Sequence, residues 1–420
     1  MSTDPNEEGA LRWEPSHAGD PAAAVDAPLA LLPGDPLPGA PDLAYRGMHG
    51  VGVRTLRARH RDQPDPVQGG RRDRVLVLEA WYPSPARGTC LHHDALPALE
   101  GEAPVPFAFR GRGVRDAAVA EGTHPVVLLA HGHPGSRTMM THLAEPLASR
   151  GWIVLAADHE RSTHTDAAAV VDSLLHRPRD LLFLLGWLED GLAEADPALF
   201  AAVDDGPRAL IGYSMGGYGA LLAAGARLDA EALAREENVP PTWSETLRPV
   251  QEGRHGAALD AFAARIGAVV ALAPWGGRAA IARSSLDDVR VPVLCACGDR
   301  DTVSGYRDGV RRIHEGLRGT ERWLLTLAGA GHVVAPDPPP SAAYRAARPH
   351  AYLRYADGVW DPRRVGDLVR HFTVAFLGAG PGQPDGRWMR HHPEGWPGMH
   401  PQLQRGFDVE RLGEAEPSAA

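Results

Sequence analysis

The chain has 420 residues, 44% of them hydrophobic, and a formal net charge of −10. It is too apolar for a disordered polymer and long enough for one large domain or two ordinary ones. An acidic chain without a basic stripe is not expected to bind nucleic acid, and no run is long and apolar enough to span a bilayer.

Residues 1–41 are rich in Pro, Ala, Gly and Asp, lack apolar periodicity, and are expected to form a disordered, mobile tail. The opening MSTDPNEEGALRWEP has no basic stretch followed by an apolar core, so a cytoplasmic protein is expected. The domain is expected over 42–378. GVGVRTLRAR and RVLVLEAW read as paired strands. HPVVLLA is a buried strand, followed by a helix whose apolar residues Met139, Leu143 and Leu147 recur every four positions and which ends at Gly151. Trp152 opens another strand, and RPRDLLFLLGWLED reads as an amphipathic helix. PRALIG (strand), GGYGALLAAGA (helix), GAVVALA and VPVLCAC (strands), a helix over 310–317, the strand RWLLTLA and a helix over 362–377 complete the series.

Strands that are apolar on both faces and alternate with helices imply an α/β fold, with a mostly parallel sheet covered on both sides. Two stretches break the alternation. Residues 227–265 form a polar insertion, expected to be lid-like, and 379–420 form a Pro/Gly/His-rich extension whose segment HHPEGWPGMHP could dock on the domain. Three cysteines imply no disulfide framework, and Cys295 and Cys297 are expected to be buried strand residues. The paired histidines His92-His93 and His391-His392 are expected at the surface.

The strongest chemical signal is Gly212-Tyr213-Ser214-Met215-Gly216, placed between a buried strand and a small-residue helix. That is the setting of a nucleophile elbow: a turn so sharp that its flanks must be small, with the serine hydroxyl held clear of the sheet. Serine needs a base, and the expected chain order is serine, acid, histidine. CGDRDTV and AGAGHVV each follow a strand's carboxyl end, where catalytic groups gather in open α/β sheets. His332 is therefore the expected base. Asp301 is favoured as the acid over Asp299, which is better placed to hold its own turn. Two backbone donors are needed for the oxyanion: Met215 N–H, and one from His131-Gly132-His133-Pro134-Gly135, where His133 is chosen because Pro134 has no N–H. A zinc reading of His131 and His133 is weak, since alternate residues of an extended chain face opposite ways, although His159 and His164 could add ligands. Trp275, at the end of the strand after the insertion, is either a core aromatic or a wall of the substrate pocket.

Together GVGVRTL, EAWYPSPARG, HPVVLLAHGHPGSR, LAEPLASRGWIVLAADH, RPRDLLFLL, IGYSMGGYGA, RIGAVVALAPW, CGDRDTV and GAGH resemble the platelet-activating-factor acetylhydrolase and dienelactone-hydrolase-like branch of the α/β-hydrolases. They are also similar to bacterial cutinase-like polyesterases. The resemblance runs from about Tyr45 to His332. It implies an α/β-hydrolase fold and a serine esterase that needs no metal or organic cofactor and acts through an acyl-enzyme on small esters with a short or accessible acyl group. By position it implies Ser214, Asp301 and His332 as the triad, Met215 and His133 as oxyanion donors, and Trp275 as a cleft aromatic. The chain departs from the pattern at His133, where a smaller or apolar residue is common, and in having serine where dienelactone hydrolases have cysteine. An acyltransferase or lactonase on the same fold is the alternative.

Overall fold

The computed structural model describes residues 31–97, 103–167, 170–236, 243–336, 339, 355–378 and 407–412. Twelve strands are present among them: β1 (Gly50–Pro64), β2 (Arg71–Ser84), β3 (Cys90–Leu96), β4 (Val105–Gly111), β5 (Val114–Arg115), β6 (Val126–Ala130), β7 (Ile153–Asp158), β8 (Arg208–Tyr213), β9 (Ile266–Leu272), β10 (Val293–Gly298), β11 (Arg322–Leu327) and β12 (Phe407–Leu412). Four principal helices accompany them: α1 (Thr141–Ser149), α2 (Val170–Trp187), α3 (Met215–Ala223) and α4 (Pro362–Leu377).

One ten-stranded sheet runs in the order β12-β11-β10-β9-β8-β6-β7-β2-β1-β5, and β3 pairs with β4 in a separate hairpin. From β7 through β11 neighbouring strands are parallel. β2 is antiparallel to both β7 and β1, and β12 is antiparallel to β11. β6, β8 and β10 are buried along their whole length, as strands covered on both faces must be. Helix α1 packs with α4, and α2 packs with α3.

The expected helix at RPRDLLFLLGWLED begins earlier than the sequence suggests, at Val170, because Pro178 lies inside it rather than at its start. An interior proline leaves the carbonyl four residues before it without a donor. Here the Tyr218 hydroxyl donates to Leu174 O at 3.0 Å. Helix α1 solves the same problem at Pro146: Arg370 Nη1 donates to His142 O at 3.0 Å. Both prolines are thus accommodated by a long side chain from a neighbouring helix, which also fastens the two helices together.

Several terminal and inserted segments are placed by the same contacts. Residues 31–41, which composition assigns to a tail, lie against the domain: Asp35 pairs with Arg112 and Arg46, and Leu37 N–H donates to the buried Asp367 carboxylate. The described part of 227–265 consists of short helices that bury Leu233, Leu247 and Val250, and its segment Ala257–Phe262 packs against α2. Arg179 of α2 donates to His255 O in that insertion. Within the extension, 407–412 adds the edge strand β12, while HHPEGWPGMHP, with its paired histidines, lies outside the described residues. Cys295 and Cys297 are both fully buried on β10, as expected. His92 corrects the expectation of a surface pair: only His93 is exposed. Strand alternation turns His92 inward, beside the buried Glu145 carboxylate at 3.3 Å. Burial alone would lower its pKa, but the Cys90 and Glu145 contacts override that and raise it to about 9.

Candidate active site

Ser214 stands between the end of β8 and the first residue of α3, with φ 52° and ψ −114°. This left-handed backbone is costly for a residue with a Cβ and persists only where the surroundings dictate it. They do so tightly. A Cβ on Gly212 would overlap the Gly216 carbonyl, and a Cβ on Gly216 would overlap Ala130 O on β6. Ser214 N–H donates to Leu272 O at 2.8 Å, and Ser214 O accepts from Trp275 N–H at 3.0 Å.

The structure brings Ser214, His332 and Asp301 together. His332 Nε2 lies 3.1 Å from Ser214 Oγ, and His332 Nδ1 lies 2.8 Å from Asp301 Oδ2. The carboxylate fixes the tautomer: Nδ1 carries the proton, and Nε2 presents its lone pair to the serine hydroxyl. Asp301 is held in turn by N–H groups of Val303 and Ser304, both on Oδ1, at 2.8 and 2.9 Å. Burial pushes the Asp301 carboxyl up, but His332 and these two amides outweigh it, so its pKa is lowered and it stays ionised. Asp299 does not reach His332; its Oδ1 accepts from Gly329 N–H at 2.7 Å. It anchors the loop that carries His332, and Asp357 does the same through Gly331 N–H at 2.6 Å.

Met215 is the first residue of α3, where backbone N–H groups have no intrahelical acceptor. The loop after β6 passes directly over Ser214: a Cβ built on Gly132 would sit 3.5 Å from Ser214 Cβ. His133 is half-buried and its Nδ1 lies 2.7 Å from Ser162 Oγ. Ser162 Oγ also accepts from Arg177 Nη2 at 2.6 Å and Ser173 Oγ at 3.1 Å. With both lone pairs engaged, the Ser162 proton goes to His133 Nδ1, leaving the ring proton on Nε2. Trp275 is half-buried, edge-on to Tyr218 at a centroid distance of 5.9 Å.

His131 is spent on holding this loop. Its Nε2 accepts from His159 N–H at 3.1 Å, so its proton resides on Nδ1, which donates to Gly132 O at 2.7 Å. Burial, with the nearby Arg177 charge, lowers its pKa far below the ordinary histidine value. A neutral ring with both nitrogens engaged has no lone pair for a metal, and among the described residues no cluster of metal-ligating side chains occurs.

Sequence reasoning missed Arg177, Ser162 and Ser173. For Arg177 a signal was present: Arg177, Leu181, Leu184 and Leu188 fall on one helical stripe, so a charge sits in the apolar face of α2. A charge there must have partners. For Ser162 and Ser173 there was none, since an isolated serine carries no pattern and their shared partner His133 comes from a separate loop.

Comparison with known proteins agrees with this architecture. The family described as platelet-activating factor acetylhydrolase, isoform II, matches residues 115–178. Cutinase est2 of Thermobifida alba is 31% identical over 211 residues, covering 50% of this chain and 53% of that protein. Cutinase 2 of Thermobifida cellulosilytica is 25% identical over 218 residues, covering 52% of this chain and 63% of that protein. The chain therefore spans less than two thirds of these relatives. Among solved structures, a ferulic acid esterase from Streptomyces cinnamoneus superposes with a TM-score of 0.57 at 20% identity, over 88% of this chain and 98% of that one. The likeness establishes a shared fold.

Proposed function

Since the chain belongs to the α/β-hydrolase superfamily, we propose that it is a serine carboxylic-ester hydrolase working through an acyl-enzyme on small esters. The observation that carries this reading is His332, standing between Ser214 Oγ at 3.1 Å and Asp301 Oδ2 at 2.8 Å. His332 Nε2 takes the Ser214 proton as Oγ attacks the ester carbonyl, and Asp301 stabilises the imidazolium that forms. The N–H groups of Met215 and His133 bind the oxyanion. The imidazolium protonates the departing alcohol. Water, deprotonated by His332, then attacks the acyl-enzyme and releases the acid. Each proton is carried by the chain's own groups. Trp275, whose backbone is tied to Ser214 O, forms a wall of the acyl cleft.

The test is hydrolysis of p-nitrophenyl esters from acetate to decanoate by the wild type and Ser214→Ala. The reading requires wild-type turnover that falls by about a thousandfold or more in the variant. The chain-length profile then sizes the acyl pocket. Two folded proteins that both leave every ester intact would sink the reading.

A further inference from the structure

Arg177 is buried in the middle of α2, and no step of the catalytic chemistry just described uses it. Its guanidinium donates from Nη1 to His131 O and from Nη2 to Gly132 O at 2.7 Å, and from Nη2 also to Ser162 Oγ. Burial pulls its pKa down to about 9, so it remains a cation at neutral pH. A fully buried cation directed at two consecutive backbone carbonyls is an expensive arrangement.

Peptide planarity gives it a consequence. In a trans peptide the C=O and the following N–H point in opposite directions. The peptides His131–Gly132 and Gly132–His133 are trans, the cis bond of this loop coming one residue later. With His131 O and Gly132 O both drawn to Arg177, the N–H groups of Gly132 and His133 are turned away from it. Gly132 packs against Tyr213 and Ser214, and Arg177 reaches the loop carbonyls from α2. Two carbonyls pinned to Arg177 therefore fix the direction of both N–H groups in a loop that lies against the serine.

We infer that Arg177 is a positioning residue that presets the oxyanion-binding loop, acting through the His131 and Gly132 carbonyls and never touching substrate. This rests on the serine-hydrolase reading above. It predicts a defect confined to the charged tetrahedral state, since the neutral ester gains little from donors aimed at an oxyanion. Arginine is needed because a planar fork reaches both carbonyls and Ser162 at once, which a lysine ammonium on its single stem does not.

The experiment compares the full-length wild type, Arg177→Met, Arg177→Lys and Ser162→Ala. Melting temperature, kcat and KM for p-nitrophenyl acetate, and Ki for an aryl trifluoromethyl ketone are measured. The ketone reports the oxyanion directly. Ser214 Oγ bonds to the carbonyl carbon, the π pair moves to the oxygen as an alkoxide, and His332 receives the hydroxyl proton. Arg177→Met is expected to lose on the order of a hundredfold in kcat. Its ketone Ki should rise in parallel, with KM within about twofold of wild type. Arg177→Lys should fall between. If Arg177→Met does not fold, Arg177→Lys and Ser162→Ala carry the same comparison, with smaller losses on the same two readouts. Folded Arg177 variants whose kcat and ketone affinity match an active wild type overturn this inference alone. A wild type that neither hydrolyses esters nor binds the ketone overturns the hydrolase reading and this inference with it.

Discussion

His332 meets Asp301 Oδ2 through Nδ1 at 2.8 Å, and His159 meets Asp180 Oδ2 through Nδ1 at 3.0 Å. Both histidines follow the carboxyl ends of strands in the same sheet, His332 after β11 and His159 after β7. What differs is everything around them. The His332 side chain keeps 16% of its surface exposed, and its Nε2 faces Ser214 Oγ. The His159 side chain keeps 1%, and its Nε2 has no hydrogen-bond partner among the described residues. Asp301 is held by backbone amides and serves one histidine. Asp180 is already gripped by Arg74 through both Nε and Nη2, with Arg74 reaching Asp172 as well. Burial and the Arg177 charge, opposed only in part by Asp180, lower the His159 pKa to about 4. In the proposed mechanism one pair supplies a base; the other is a neutral strut between β2, α2 and the loop after β7. A histidine–carboxylate contact therefore says little until its second nitrogen and the nearby cations are counted.

Substitution should separate the two pairs most sharply. His332→Ala is expected to lower kcat on p-nitrophenyl acetate by about 10³- to 10⁴-fold with little change in melting temperature. His159→Ala should do the reverse. It strands a buried partner and costs about 1–3 kcal/mol of stability, with activity retained below its melting point. A calorimetric scan beside a kinetic assay reads both, and an inactive but fully stable His159→Ala would break the distinction.

A finer version of the same contrast separates the two acids of the CGDRDTV loop. Asp301→Asn should cost on the order of a hundredfold or more in kcat, because the amide favours the wrong imidazole tautomer. Asp299→Asn retains an acceptor for Gly329 N–H and should stay within about tenfold of wild type. Equal losses in the two variants would remove Asp301 from the role assigned to it.

What the sequence disclosed follows from how local each signal is. Strand and helix order was readable because burial on both faces leaves uninterrupted apolar runs, as at Val126–Ala130 and Val293–Gly298. The elbow was readable because Gly212 and Gly216 are demanded by contacts a few residues away. The β3–β4 hairpin was not, since HHD and FAFR carry no clean alternation and the strand buries His92 against Glu145, 53 residues distant. Arg177 stood out as a charge on the apolar face of α2, but nothing in the sequence said what it holds. Its partners are carbonyls, which every residue has, so no residue type marks the loop that receives it.

Acid should weaken the struts before it disturbs the fold elsewhere. His60, His159, His255, His314 and His371 have pKa values lowered to about 4, and His176 to about 3, each chiefly by burial. In the unfolded chain these groups titrate near 6.5, so between about pH 6.5 and 4 the unfolded state binds more protons. Their contribution is intact above pH 6.5 and is lost as the pH falls toward 4. His92 has the opposite sign, its contribution present below pH 6.5 and lost as the pH rises through about 9. With His124 and His131, whose pKa values burial also lowers, eight groups against one predict a melting temperature clearly lower at pH 5 than at pH 7.5. A flat or rising profile over that interval would mean that these histidines are not held neutral.

The smallest effect tests how the strut helix is kept in place. Pro178 deprives Leu174 O of its helical donor, and the Tyr218 hydroxyl replaces it from α3, four residues beyond Ser214. Tyr218→Phe keeps the ring and its edge-on contact with Trp275 but leaves a buried carbonyl unpaired, which costs about 1–3 kcal/mol. Because Arg177 lies directly before Pro178, loosening this turn should also blur the aim of the guanidinium at the loop carbonyls. A few-fold fall in kcat with KM unchanged is expected, well short of the loss in Arg177→Met. Restoring the helical donor with Pro178→Ala in the Tyr218→Phe background should recover both stability and kcat. Recovery of stability without kcat would show that the tyrosine serves the active site by some route other than α2.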